Sequence, residues 1–414
     1  MNMANPFLGS NINLVKTHNV QALLLTLLHE DNLSRIQLAK RTGLSNTTIT
    51  NLIAELIQQG LVTEEKCVQE DPQVVRSVGR PRTGVCLNPD ARYVIGIHIG
   101  VGIFRVALTN LRDEIVYNNQ ELFDVQESAF DVLNLITNSV KELIKKSRIS
   151  KKLILGIGVG ASGLIDFQTG VNVFAPNLNW RDIPIKAHLE NHLGLKVVVD
   201  NNVRAMALGE AYFGSGRSVD SLAFVYGRIG VGAGFIYKGQ VFRGSTMGAG
   251  EIGHTNLLLE GGEFCRCGNS GCLETLVSEP VILKMAEKIQ LLEPSGILAE
   301  LIKENQGENS LPIIFNAARQ GDSAVLEMLQ ERAYYMGVAL ANMVNLYNPE
   351  MIVLGGIFSE GHDIFIDPLI KTVRQMAFAD LGLRVRIRAT SFGWKAGVIG
   401  AAALALTSFF YHLD

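Results

Sequence analysis

The sequence is poor in the residues that mark several protein classes. Only 11 of its 414 residues are proline and 47% are hydrophobic, so it is neither disordered nor of low complexity. Cysteine is scarce as well. There are five, and an odd number with no expected export signal argues against a disulfide framework. Uninterrupted apolar runs are short. The longest, Gly397 to Phe410, is broken by Thr407 and Ser408 and falls below the roughly 18–20 residues of a bilayer-spanning helix. Met1 to Ser10 holds no basic stretch followed by an apolar block, so a cytoplasmic protein without a membrane partner is expected. No sign of charge dominates. The net charge is -3, and residues 1–85 carry eight basic against seven acidic side chains. That excludes the broad basic field of a non-specific nucleic-acid binder.

What is present predicts several domains, since single cores stop growing near about 250–300 residues. In residues 14–31, Val15, Val20, Leu23, Leu24, Leu27 and Leu28 fall on one face of a helix. Ser34 followed by Gln37 is a capping-box pattern opening a short helix, Arg35 to Thr42, with Ile36, Leu38 and Ala39 inward. Gly43 suits a sharp turn after it. Ser45 then caps a helix in which Ile49, Leu52, Ile53, Leu56 and Ile57 form an apolar stripe ending at Gly60. The opposite face carries Asn46, Thr47, Thr50 and Asn51, small polar side chains suited to base edges and phosphates in a major groove. Residues 61–63 and 82–87 read as strands bracketing a wing. Within it, Gly79-Arg80-Pro81 places Arg80 on a thin extended segment that fits a minor groove. These features predict a winged helix-turn-helix that binds double-stranded DNA.

From Tyr93 the pattern becomes α/β. Residues 94–99 and 103–108 predict a hairpin about Gly100-Val101-Gly102, and residues 222–226 and 234–237 a second pair about Gly230-Val231-Gly232. Strands also alternate with helices at 131–146, 203–212 and 333–346. Two related lobes with a ligand cleft between them follow.

The densest chemistry is His254, then Cys265, Cys267 and Cys272 within eight residues. One imidazole and three thiolates suit tetrahedral zinc, and four protein ligands leave no open position, so this zinc is expected to be structural. Held through one ring nitrogen, His254 keeps the other for a ligand.

Through this zinc motif, the glycine-rich stretch Gly248 to Glu274 and the Gly-Arg-Pro loop, the chain resembles the ROK family (repressors, open reading frames and sugar kinases), looking most like its xylose and N-acetylglucosamine repressor branch. The resemblance implies a winged helix over residues 1–88 and a two-lobed actin-like ATPase fold over 89–414. Lobe 1 would hold about 89–200 plus 390–414, and lobe 2 about 201–389 with the zinc motif. It also implies sugar contacts from Gly163, Asn177, Asn201, Asn202, Glu251, His254 and Glu274. The catalytic aspartate of family kinases is matched by an amide in Asn201-Asn202, which cannot act as a base. Asp200 lies nearby. The first phosphate loop reads His98-Ile99-Gly100-Val101-Gly102-Ile103 and lacks the family's aspartate and threonine; the second reads Arg228-Ile229-Gly230. With base, metal and phosphate contacts altered together, phosphoryl transfer loses its support. A homodimeric or tetrameric repressor released from its operator by a sugar or sugar-phosphate effector is the expectation. Alternatives are an active sugar kinase fused to a DNA-binding domain and a regulator switched by a protein partner.

Overall fold

The computed structural model describes residues 12–66 and 83–411. Three helices come first: α1 (Ile12–His29), α2 (Arg35–Thr42) and α3 (Asn46–Gln58). The capping box of α2 forms in full, since the Ser34 hydroxyl accepts from Gln37 N–H while the Gln37 side chain accepts from Ser34 N–H. Gly43 is left-handed at φ 72°, and Ser45 caps α3. Strands β1 (Val62–Lys66) and β2 (Thr83–Leu87) pair antiparallel, and a bridge from Leu33 to Val85 extends them. The expected inward faces need three corrections. Val15, Ile36 and Ile57 are exposed, because each lies at the rim of its stripe while Leu23, Leu27, Leu38, Ile49 and Ile53 fill the small core completely. The Gly79-Arg80-Pro81 loop lies outside the described residues.

The first large sheet contains β3 (Tyr93–Ile99), β4 (Ile103–Asn110), β5 (Ile115–Leu122), β6 (Ile154–Ala161) and β10 (Val197–Asn201), ordered β10-β6-β3-β4-β5. Between its strands run α4 (Ala129–Ser147), a small sheet of β7 (Leu164–Asp166), β8 (Val171–Ala175) and β9 (Trp180–Ile183), and α5 (Ile185–Leu193). After α6 (Asn202–Phe213) a second five-stranded sheet is built from β11 (Ser221–Gly227), β12 (Val231–Tyr237), β13 (Gln240–Phe242), β14 (Met351–Gly356) and β15 (Arg386–Ala389), ordered β13-β12-β11-β14-β15. Its helices are α7 (Glu274–Val277), α8 (Glu279–Leu292), α9 (Ile297–Glu304), α10 (Leu311–Arg319), α11 (Ser323–Tyr347), α12 (Ile357–Glu360), α13 (His362–Met376) and α14 (Leu381–Arg384). The β11–β12 turn comes earlier than expected, since Val231 and Gly232 already pair with Gly227 and Tyr226.

The last helix, α15 (Ala396–Leu406), continues into a π-helical turn at Thr407–Tyr411. The helical stretch Gly393–Tyr411 is 19 residues, longer than the expected run and apolar enough to cross a bilayer, yet 72% of it is buried inside the protein. It is a core helix, and its composition explains how. On β3 and β6, Gly96 and Gly158 are neighbours, and both lie beneath α15. A Cβ on Gly158 would sit 1.9 Å from the Ala401 carbonyl oxygen, and one on Gly96 2.4 Å from that of Val398. On the other side, a Cβ on Gly400 would meet Met206 N of α6 at 2.5 Å. The helix therefore packs backbone against backbone on two sides, where only glycine fits.

Gly158→Ala is expected to destabilise the fold by about 3 kcal/mol, the upper end for overpacking, because rigid backbone rather than a side chain blocks the methyl. Denaturant unfolding measures this, and an unchanged midpoint would show that α15 has slack.

Candidate ligand cleft and metal centre

Between the two large sheets lies a cavity of about 630 Å³. Gly163, Asn177, Asn201, Asn202, Glu251, His254 and Glu274 all line it, so residues spread over more than a hundred positions converge. Local structure explains the placement. Asn201 ends β10 and caps α6, its Oδ1 accepting from Val203 and Arg204 N–H, while its Nδ2 donates to the Gly163 carbonyl at 3.0 Å. Its amide is thus committed to scaffold, and it positions rather than offers itself. Asn202 donates to Ser162 Oγ at 3.3 Å, and its Oδ1 accepts from Val203 N–H. Glu274 Oε2 accepts from Val231 N–H at 3.1 Å, tying α7 to the β11–β12 turn.

Electrostatics tune Glu251. Glu251 is exposed on the cleft wall, yet the protein packed around its carboxyl raises it above the usual range, opposed by His254 and Arg204 and reinforced by Glu274. Two arginines that sequence reasoning missed shape this wall. Arg266 Nη1 donates to Asn177 Oδ1 at 2.5 Å; its place between Cys265 and Cys267 was the available signal. Arg204 is nearly wholly buried, bonded to Asp200 Oδ1 at 2.8 Å and to the Met247 carbonyl at 2.7 Å. Asp200, fully buried, also binds Arg243 at 2.8 Å, whose guanidinium lies 3.7 Å above the Phe167 ring. The Asp200 carboxylate is thus held in ion pairs and does not line the cleft.

His254, Cys265, Cys267 and Cys272 hold their ligand atoms within 4.8 Å of one another. Cys265 Sγ lies 3.6 Å from His254 Nδ1, and Cys267 Sγ 3.7 Å from Cys272 Sγ. Tetrahedral N/S ligation with bonds of about 2.0–2.3 Å requires ligand separations close to these, so the cluster fits a metal ion. Gly268 and Gly271 are left-handed at φ 98° and 72°, and a Cβ on Gly271 would meet the Leu258 carbonyl oxygen at 2.0 Å.

The other half of the cleft is lined by His98, Gly100, Arg105, Tyr226, Arg228 and Trp394. Arg228 pairs with Glu279 at 3.0 Å and with Glu360. Burial, with a smaller contribution from Arg105, pushes the His98 imidazole down to about 3.

Comparison with known proteins decides the lineage. Residues 94–408 match the ROK family model and residues 17–70 the MarR family model. The chain belongs to the ROK family. It is 32% identical to the xylose repressor of Caldicellulosiruptor bescii over 96% of this chain and 97% of that one. It is 33% identical to a glucokinase of Halalkalibacterium halodurans over 76% of this chain and 94% of that one. Among solved structures it resembles a ROK family transcriptional regulator, a homologue of the E. coli Mlc protein, with a TM-score of 0.80 and 26% identity over 96% of this chain and 97% of that one. The match spans both parts of the chain: a MarR-like winged helix followed by the actin-like ROK fold.

Two outcomes are expected. Cys267→Ser loses bound metal by elemental analysis of the purified protein; full retention would remove Cys267 from the ligand set. His98, neutral in the fold and titrating near 6.5 when unfolded, lowers stability as pH falls from about 6.5 towards 3. The loss is about 2 kcal/mol by pH 5. Thermal unfolding of the protein and of His98→Asn between pH 7 and 5 should show a shallower decline in the variant. Equal declines would contradict the assignment.

Proposed function

We propose that the protein is a sugar-responsive DNA-binding transcriptional regulator, a repressor of carbohydrate uptake or catabolism genes that a sugar effector releases from its operator. The observation that carries this reading is the contrast within one cleft. Its Asn177–Glu251–Glu274 end keeps carboxylates and amides that suit hydroxyls, each of which donates and accepts. The position of the kinase base holds Asn202, an amide bonded to Ser162. Asp200, the carboxylate two residues before it, is locked by two arginines. Occupancy without turnover is the consequence.

The division into a winged helix over residues 1–88 and a two-lobed domain over 89–414, broken near residues 200 and 390, follows the same reading. The sugar contacts are Asn202, Glu251, His254, Glu274 and Asn177, with Gly163 and Asn201 shaping the wall. The histidine and three cysteines hold Zn²⁺, which fixes the His254 ring and leaves Nε2 for a hydroxyl. Asn46, Thr47, Thr50 and Asn51 are exposed on α3 and read bases in the major groove; Arg80 enters the minor groove. A homodimer presents two such helices to a palindromic operator.

Support for coupling comes from α15. Its first residues, Ala396 and Gly397, line the cleft. At its far end the Tyr411 hydroxyl donates to the Leu111 carbonyl at 2.7 Å, and Phe410 and Tyr411 join the apolar cluster that contains α1. Next to Leu111, Arg112 pairs with Asp31 of the α1–α2 loop at 2.7 Å. A lobe rotation on sugar binding thus reaches the winged helix through a rigid helix, and half-site spacing no longer fits.

The glucokinase relative favours a second reading, a sugar kinase carrying a DNA-binding domain. Sugar-dependent ATP hydrolysis by the purified protein would establish it.

Operator affinity titrated against a panel of sugars and sugar phosphates tests the main reading; no change with any of them overturns it. Asn51→Ala is expected to cost about 1–3 kcal/mol of specific binding if its amide reads a base. Arg80→Ala should weaken operator binding while sugar affinity stays constant.

A further inference from the structure

His98 lines the cleft, and the reading above leaves it without a task. It is 4% exposed, and neither ring nitrogen has a hydrogen-bond partner among the described residues. Its ring is clamped at the base of the cleft, where a Cβ on Gly397 would lie 2.5 Å from it and one on Gly100 3.2 Å. A buried imidazole without a partner is costly, and this one belongs to the lining of the cavity.

The chemistry of that lining selects its occupant. Its two arginines are already engaged: Arg105 with Gln120 at 3.3 Å, and Arg228 with Glu279 and Glu360. A phosphate placed there would face the Glu360 carboxylate. Two of the turn amides are also spent, since Gly100 N–H donates to the Ile103 carbonyl and Arg228 N–H to that of Gly230, both at 2.9 Å. An uncharged hydroxyl, able to donate and accept, matches a neutral imidazole. Half-exposed Trp394 and exposed Leu122 at the rim supply apolar faces for the C–H side of a sugar ring. The whole cavity, about 630 Å³, lies within the range of small-molecule pockets, about 300–1,000 Å³, and has room for a second ring.

We infer that the effector is an uncharged disaccharide, with one ring on the Asn177–Glu251–Glu274 wall and the second over Trp394, a hydroxyl of which bonds His98. This rests on the carbohydrate reading of the cleft. Because His98 packs on Gly397, the second ring bears directly on the start of α15.

Calorimetry with glucose, xylose, N-acetylglucosamine, their β-1,4-linked disaccharides and the 6-phosphates of glucose and N-acetylglucosamine tests it. Tryptophan emission provides a second readout, since Trp180 is 2% exposed and Trp394 stands in the cleft. One disaccharide should bind at least about ten-fold more tightly than its monosaccharide and alter Trp394 emission. His98→Ala should weaken that disaccharide about ten-fold, the value of one buried hydrogen bond, and leave the monosaccharide within about two-fold. Ile103→Trp, which fills the second half from its rim, should abolish the disaccharide preference independently of His98. Equal affinity for one and two rings, tightest binding of a 6-phosphate, or a preference unmoved by both variants overturns the inference while the carbohydrate reading stands. Binding of no carbohydrate at all overturns that reading itself.

Discussion

The arrangement depends on one steric constraint, the contact of α15 with the strands and helix on either side. Gly96 and Gly158 on the sheet and Gly400 on the helix bring peptide groups together with no side chain between them. Side-chain packing can yield by changing rotamers, but backbone against backbone cannot. That is why an apolar helix with a membrane-like composition serves here as a rod. It runs from the cleft at Gly397 to the apolar cluster that Tyr411 shares with the first helix.

The cleft gathers residues from both sheets: Asn177, Glu251 and Glu274 line it together with His98 and the 228–230 turn. The buried Asp200–Arg204–Arg243 cluster stands outside that lining. Buried ion pairs add little net stability over apolar packing, but they fix geometry. Here they keep the Asp200 carboxylate paired and hold the Met247–Glu251 segment against β10.

Much of this was legible in the sequence because its causes are local. Ser34, Gln37, Gly43 and Ser45 punctuate the first helices through bonds spanning three or four residues, and the cysteine spacing declares the metal loop. The rim residues Val15, Ile36 and Ile57 were misread because periodicity gives the direction of a stripe and not its width. The early β11–β12 turn was misread because Gly232 reads as a turn residue when it is in fact a strand residue, placed where a Cβ would crowd Val203. Long-range pairs were invisible: nothing near Asp200 announces Arg243, and nothing near Asn177 announces Arg266. The cleft-lining residues could be named from the sequence only through family resemblance, since their convergence depends on two sheets meeting.

Arg243 leaves β13 in the second sheet, reaches Asp200 in the first, and lies flat on Phe167 of the β7–β8 loop. Such a rivet ties three separately formed layers, the two large sheets and the small β7–β8–β9 sheet, to one guanidinium, so that a single positive charge anchors pieces of chain far apart in the sequence.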